Sequence, residues 1–449
     1  MQEDAGMSRQ YRTYNPEQSL LLPPSLRDWL PEDHLAYFIS DAVDAMDLSA
    51  FDEKYGDEGP GNQAFDPRMM TKVLIYGYAT GVFSSRKVAT KLKEDIAFRV
   101  LGAGNFPAHR TIADFRKLHL RAFRNLFVQV VLMGREAGLV KLGTVAIDGT
   151  KMRANASKRK AMSYDRMREA RKRIREEIRE LVNRAKRTDA EEDQRYGSNR
   201  SGSELPDELA TRKKRLATIQ AAMKRLEERQ KAEDDEAGRT PGDHKPGSGK
   251  KGPPFKRPMG QPKPKEQDNF TDPESRIMQT STDGYQQCYN AQAVVDSESR
   301  IIVATTLSNN ASDANQLEPA LDAVRENLDA DPKRLLADAG YRSESNFEML
   351  EQTSIDGYVA TGREKDFDQA VLPPLDTAVG RMVRKLRTKR GRKRYRARKH
   401  ISEPPFGWIK NVLGFRRFSL RGLENVRCEW DLITLAVNLR RLNGKIEWA

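Results

Sequence analysis

A highly charged but nearly neutral segment, residues 161–236, separates two parts of the chain that both carry β-strand patterns. It holds 20 Lys or Arg and 18 Asp or Glu. Its apolar residues recur at helical spacing in two stripes, from Met167 to Ala185 and from Leu209 to Leu226, with a Gly/Ser turn at 197–203 between them. This pattern predicts an antiparallel helical hairpin with solvated faces of mixed charge. The hairpin is therefore a long insertion, and the strands on either side of it belong to one sheet.

The strand patterns lie at residues 143–148 before the insertion and again after it. Two β-branched, apolar runs, Gln287–Val295 and Arg300–Leu307, predict a β-hairpin. Further strands are predicted at 334–338 and 356–360, with helices at 313–328, after Ser343 and at 430–442. This alternation predicts an α/β fold, a mixed sheet flanked by helices. We place its first strand in 140–160 and the remainder of this core in 268–449.

The N-terminal part reads as an all-α domain, residues 16–135, after a tail at 1–15. Asp66-Pro67 is a typical start for the helix at 69–81, and three short helices follow at 84–92, 96–101 and 109–118. The last has basic residues on its predicted polar side, which are Arg110, Arg116 and Lys117. The pattern fits a helix-turn-helix DNA reader and an ordinary helical bundle equally well.

Charge and composition point to an anionic polymer as the partner. The net charge is +14 and the pI about 9.6, and residues 381–400 contain twelve Lys or Arg and no acid. Residues 237–267 are rich in Pro, Gly and Lys/Arg, which predicts a flexible basic linker. Two distant cysteines, Cys288 and Cys428, exclude a disulfide framework and fit a reducing cytosol. No apolar run is long enough to span a membrane, so we expect a cytoplasmic protein.

Three acidic residues are candidates for a metal site that acts on a polyanion. Asp148 and Asp338 are predicted at the ends of two strands, where ligands gather in open sheets. Glu403, after the basic stretch, completes a set of oxygen ligands suited to Mg²⁺ or Mn²⁺. Two such ions, roughly 3.5–4 Å apart, serve in-line displacement at a phosphodiester. The set therefore indicates metal-dependent cleavage of nucleic acid.

Each acid also has a simpler interpretation. An aspartate at a strand end is commonly a turn former or a helix cap, and Glu403 before Pro404-Pro405 fits an acid in the first turn of a helix. Other acids near predicted strand ends compete for the second position, and these are Asp283, Asp296 and Asp313.

Several motifs together resemble bacterial insertion-sequence transposases of the DDE type. They are Val145–Lys151, Asp272–Arg276, Gly284-Tyr285, Tyr289–Gln292, Ala337–Tyr341 and Tyr395–Lys410. The resemblance implies an RNase H-like, integrase-like catalytic core, a helical N-terminal domain, and Asp148, Asp338 and Glu403 as the catalytic, metal-binding triad with two Mg²⁺ or Mn²⁺ ions. Tyr395, Arg398, Glu403 and Lys410 resemble the family's Tyr-Arg-Glu-Lys signature. That signature usually has three residues between Arg and Glu, whereas four separate Arg398 from Glu403, and Lys399 stands at the usual spacing.

The resemblance also implies a function and partners. The expected activity is binding of the element's terminal inverted repeats, followed by strand cleavage and transfer, by a homodimer that acts on double-stranded DNA in the nucleoid. Expected DNA contacts, beside the three basic residues of the N-terminal domain, are Lys151, Arg153, Tyr395, Arg398, Lys399 and Lys410. Two alternatives remain, a plain nuclease of the same fold and a DNA-binding protein derived from a transposase.

Overall fold

A computed structural model describes residues 25–54, 64–196, 207–239, 257–280, 283–362 and 373–445 of the 449-residue chain. The predicted tail at 1–15, the turn at 197–203 and most of the predicted linker lie outside these ranges. Among the described residues, no helix is both long enough and apolar enough to cross a membrane.

The N-terminal part is helical, as the sequence predicts. Its helices are α1 (Leu35–Asp44), α2 (Ser49–Asp52), α3 (Pro67–Ala79), α4 (Ser85–Glu94), α5 (Ile96–Leu101), α6 (His109–Leu118) and α7 (Leu120–Glu136). The start of α3 follows from local chemistry, because the Asp66 carboxylate accepts hydrogen bonds from the Arg68 and Met69 amides and Pro67 needs no partner there.

The strands form a six-stranded mixed sheet and a separate two-stranded one. The large sheet contains β1 (Val145–Arg153), β4 (Arg276–Thr280), β5 (Gly284–Asp296), β6 (Ile302–Ser308), β7 (Arg334–Ala337) and β8 (Asp356–Val359). Its order is β4-β5-β1-β7-β8, with β6 paired to β5. The β1–β7 and β7–β8 pairs are parallel and the others antiparallel. The predicted hairpin is confirmed as β5 and β6.

The first strand is longer than the sequence predicts. Asp148 was expected at its end, but β1 continues for five residues beyond it, to Arg153. The extension is polar, yet each residue from Asp148 to Arg153 pairs with a partner on β5, from Ala293 to Cys288. Ladder pairing with a long neighbouring strand therefore overrides the turn signal of Asp148-Gly149.

The charged segment folds as a pair of long helices off the large sheet. These are α8 (Tyr164–Tyr196) and α9 (Asp207–Glu236), flanked by the small sheet of β2 (Ala161–Ser163) and β3 (Gln267–Asn269). They share a separate apolar cluster that includes Met167, Ile174, Ile219 and Leu226. The two predicted stripes therefore face each other in a pair of packed helices.

The remaining helices pack on the sheet. They are α10 (Leu317–Leu328), α11 (Glu344–Gln352), α12 (Ala378–Arg387), α13 (Lys389–Gly407) and α14 (Leu423–Asn443), the last longer than predicted. The interpretation of Glu403 as a first-turn acid is wrong, because α13 begins fourteen residues earlier, at Lys389. One cluster of buried apolar residues runs from α1 through the sheet to α14, and α14 packs directly against α3 and α7. The N-terminal helices and the sheet thus share a core.

Candidate active site

Parallel pairing of β1 with β7 brings the first two predicted acids together. Ala146 pairs with Leu336, so Asp148 and Asp338, each two residues further on, stand at the same level of adjacent strands. Their electrostatic coupling is visible at Asp148. Burial raises the pKa of the Asp148 carboxyl, the negative charge of Asp338 raises it further, and the nearby Arg398 guanidinium opposes both. The condition of that prediction, that the first strand and the strand before Asp338 are neighbours, is met.

Helix α13 covers Asp148 and supplies its partners. The Arg398 guanidinium lies 3.0 Å from Asp148 Oδ2, and the Ser402 hydroxyl donates to the same oxygen at 3.0 Å. Oδ1 accepts from the Gly149 amide at 2.9 Å. Arg398 and Ser402 are one helical turn apart and both buried, so they present one face of α13 to β1. The Arg398 guanidinium therefore opposes the rise in the pKa of Asp148 that burial causes.

Asp338 follows directly after β7 and shapes the next turn. Its Oδ1 accepts from the Gly340 amide at 2.8 Å and caps a short 3-10 turn, Ala339–Tyr341. The helix-cap interpretation therefore holds for Asp338. It does not exclude a ligand role, because a carboxylate has further lone pairs available for a cation.

Glu403 lies one residue beyond Ser402 but on a different side of α13. Its side chain is exposed, and it forms no hydrogen bond or ion pair with any residue in the described ranges. Over those same ranges, no three or more His, Cys, Asp and Glu side chains form a group able to hold a metal ion. The structure thus aligns two acids of the predicted triad and leaves the third on an exposed side of the helix that covers Asp148.

The helix around Glu403 is irregular. Pro404 and Pro405 lie inside α13, and since proline has no N–H, the carbonyls one turn earlier lose their helical donors. A π-helical turn, Trp408–Val412, follows immediately. Lys410, in this turn, donates to Thr150 Oγ1 on β1. Burial lowers the pKa of Lys410, and the charge of Asp148 opposes that shift. Lys410 is thereby placed close to the paired aspartates.

The other residues predicted to contact DNA divide into two groups. Arg110, Lys117 and Lys399 are exposed, and Arg153 is partly exposed with Asp283 at 3.7 Å. By contrast, Tyr395 and Arg398 are buried, and Tyr395 hydrogen-bonds Arg398.

Arg116 is also buried, so its predicted place on the polar side of its helix is wrong. Its guanidinium donates at 3.0 Å to both the Tyr78 hydroxyl and the Phe83 carbonyl. Tyr78 in turn hydrogen-bonds Glu429 of α14. Arg116 therefore links the N-terminal helices to α14 through polar contacts in the core.

The competing acids have other surroundings. Asp296 is buried and accepts hydrogen bonds from the Glu298 and Ser299 amides and from the Ser299 hydroxyl, which makes it a turn former. Asp313 accepts from Lys151 at 3.0 Å and from two buried amide side chains. The sequence identified Asp313 as an alternative, but no local pattern indicated these contacts, nor those of Ser402 with Asp148.

Comparison with known families agrees with this geometry. The family described as "Transposase DDE domain" matches residues 258–439, and the one described as "Transposase domain (DUF772)" matches residues 24–118. Together they span more than half of the chain, and both describe transposase domains. The chain belongs to the DDE transposases of insertion sequences. Asp338 and Glu403 fall within the first match, whereas Asp148 lies between the two. Comparison with curated proteins and with solved structures gave no match.

Proposed function

We propose that this transposase binds the terminal inverted repeats of its insertion sequence and catalyses divalent-metal-dependent cleavage and transfer of DNA strands. The observation that carries the proposal is the parallel β1–β7 pair, which aligns Asp148 with Asp338 beneath α13. Two carboxylates held close together repel each other, and burial of one adds a further cost. Positive charge is needed to offset this repulsion and the cost of burial, and Arg398 supplies one unit of it.

The donor set fits Mg²⁺ or Mn²⁺ in its chemistry, since all three proposed ligands are carboxylates. Asp148 and Asp338 would hold the metal with Glu403, which is exposed and unengaged among the described residues and adjacent in sequence to the Ser402 that touches Asp148. Bound ions, two in this proposal, would activate the attacking oxygen and stabilise the leaving oxygen of the phosphodiester. In this proposal, the large sheet and the helices packed on it form an RNase H-like catalytic core.

The chain's own cations orient the DNA. Lys410, whose ammonium donates to Thr150 on the Asp148 face of β1, lies within reach of a backbone that crosses the aspartates. The exposed Lys399 extends this DNA-binding surface along α13. Arg110 and Lys117 form a second basic surface on α6. Contacts of this kind position the duplex without reading its sequence. We propose that a homodimer uses both surfaces to hold two transposon ends.

Cleavage of DNA carrying the gene's own flanking repeats tests the proposal. We expect Mg²⁺-dependent nicking at the repeat ends by the wild-type protein, and its loss in Asp148→Asn, Asp338→Asn and Glu403→Gln with end binding retained. Asp331→Asn is the matched control, because Asp331 forms a surface ion pair with Arg325. Full cleavage by any one of the three variants would contradict the proposed triad.

The same assay separates the alternatives. Cleaved ends that never join a target plasmid would identify a plain nuclease. Binding of the repeats by wild-type protein without any cleavage would identify a DNA-binding derivative. Binding that does not weaken as salt is raised would contradict all three, since each relies on phosphate contacts.

A further inference from the structure

A polar cluster lies behind the paired aspartates, centred on Asp313 in the turn between β6 and α10. Its Oδ1 accepts from Lys151 Nζ at 3.0 Å, from Asn290 Nδ2 at 2.6 Å and from Gln292 Nε2 at 2.9 Å. Asn290 and Gln292 are fully buried, and the Asp313–Lys151 pair is mostly buried. A carboxylate oxygen with three donors, one of them charged, is an anchor for everything bonded to it.

The cluster occupies the face of the sheet opposite to Asp148. In the β1–β5 register Lys151 pairs with Asn290 and Gly149 with Gln292. Side chains alternate between faces along a strand, so these positions face away from Asp148 and from α13. The fit is close, because a Cβ at Gly149 would lie 2.3 Å from Gln292 Nε2. Asp313 therefore supports the strand that carries Asp148 from behind.

The same cluster reaches the turn that carries Asp338. The hydroxyl of buried Tyr341, the last residue of that turn, donates to Gln292 Oε1. A second link runs through Asn346 of α11, whose Nδ2 donates to the carbonyls of Ala314 at 2.6 Å and Tyr341 at 2.7 Å. Two independent routes thus tie the Asp313 turn to the Asp338 turn.

Asp313 also lies near Asp338. A Cβ at Gly340 would be 2.9 Å from Asp338 Oδ1 and 3.1 Å from Asp313 Oδ2, so these two oxygens are within about 6 Å of each other. The cluster accordingly contacts both elements that must keep Asp148 and Asp338 in register.

We propose that Asp313 is a positioning residue of the active site, which fixes the Asp338 turn against β1 through Lys151, Gln292 and Tyr341. This inference rests on the proposed strand-cleaving function. Asp313 acts through its neighbours, since its Oδ1 accepts from three donors on β1 and β5, on the face of the sheet opposite to Asp148. The negative charge is essential to the arrangement, because a neutral amide at 313 attracts the Lys151 ammonium far less and leaves buried donors competing for a weaker acceptor.

The test combines single-turnover cleavage of end DNA, affinity for that DNA, and amide hydrogen exchange of the segment 337–346. For Asp313→Asn we expect a 10- to 100-fold slower cleavage step, less than threefold change in DNA affinity, and faster exchange in 337–346. Asp313→Glu, which keeps the charge, should recover part of the rate. Asp331→Asn is the control. Asp331 lies in the same connection between β6 and β7, but it forms a surface ion pair with Arg325, so this variant should match wild type in all three measurements.

The outcomes are distinct. Unchanged exchange in 337–346 and a cleavage rate within threefold of wild type would overturn the positioning role. Equal losses of cleavage and DNA affinity would overturn it as well, since they indicate general structural damage. Absence of cleavage by the wild-type protein would overturn the proposed function instead. Exchange in 337–346 would then still decide whether Asp313 holds the Asp338 turn.

Discussion

Replacing Arg398 with methionine tests the electrostatics of the site most directly. Met keeps much of the side-chain volume and removes the only cation bonded to Asp148 in the described structure. The pair is 3.0 Å apart, with side chains 10% and 18% exposed. Unit charges about 4 Å apart attract by roughly 4 kcal/mol at an effective dielectric constant of about 20. Removing one partner of a buried pair costs about 3–5 kcal/mol. Since Asp148 keeps some contact with water, we expect a loss of about 3 kcal/mol in the free energy of unfolding at pH 7.

The loss should depend on pH in a defined direction. Burial already raises the pKa of Asp148 above its unfolded value, and removal of Arg398 raises it further. An acid that binds its proton more tightly when folded makes the protein less stable as pH rises through that range. The Arg398→Met deficit should therefore shrink as pH is lowered and Asp148 takes up a proton.

Chemical denaturation of wild type, Arg398→Met and Arg398→Met/Asp148→Asn at pH 5 and pH 7 measures this effect. The double variant should recover most of the lost stability at pH 7, because it no longer buries an unpaired charge. Arg325→Met is the control, since Arg325 forms exposed pairs worth less than about 1 kcal/mol. A deficit that is equal at both pH values, or that persists in the double variant, would refute the reasoning.

Three further predictions concern other parts of the molecule. Burial raises the pKa of Asp431 to about 6, so the contribution of this carboxyl to stability should fall as pH rises from about 4 to above 6. Asp431→Asn, which keeps an oxygen for the Thr305 hydroxyl, should abolish that dependence and stabilise the protein by up to about 3 kcal/mol at pH 8; denaturation curves with a pH-independent difference would contradict this. Gly149→Ala should lower the free energy of unfolding by about 1–3 kcal/mol, because the added methyl overlaps the Gln292 amide. An unfolding midpoint equal to wild type would show that the Gln292 side chain moves aside without cost. Met167→Ala, in the α8–α9 cluster, should cost about 2–5 kcal/mol locally and speed hydrogen exchange in those two helices while β1 keeps its protection; uniform acceleration would show that the hairpin and the sheet unfold together.

Elements with strong local signals were predictable from the sequence. Asp66-Pro67 sets the start of α3, because cap and proline chemistry depend on adjacent residues only. The apolar stripes of α8 and α9 predict both helices and the faces that meet. The apolar run at 334–337 and the acid after it predict β7 and the place of Asp338 at its end. The three acids could also be singled out by residue type and by the motifs around them.

The partners of those acids depend on contacts that no local pattern contains. Arg398 lies 250 positions from Asp148 in sequence, and only the packing of α13 on β1 makes it the counter-charge of that carboxylate. Glu403 lies mid-helix rather than at a helix start, because α13 runs through the basic stretch and both prolines. Arg116 turns inward for the Tyr78 hydroxyl, although its helix spacing predicts a polar face. Periodicity, caps and turns act over a few residues and so can be read along the chain. Burial, charge pairing and strand order depend on which distant segments of the chain meet. Only the tertiary structure decided those three properties.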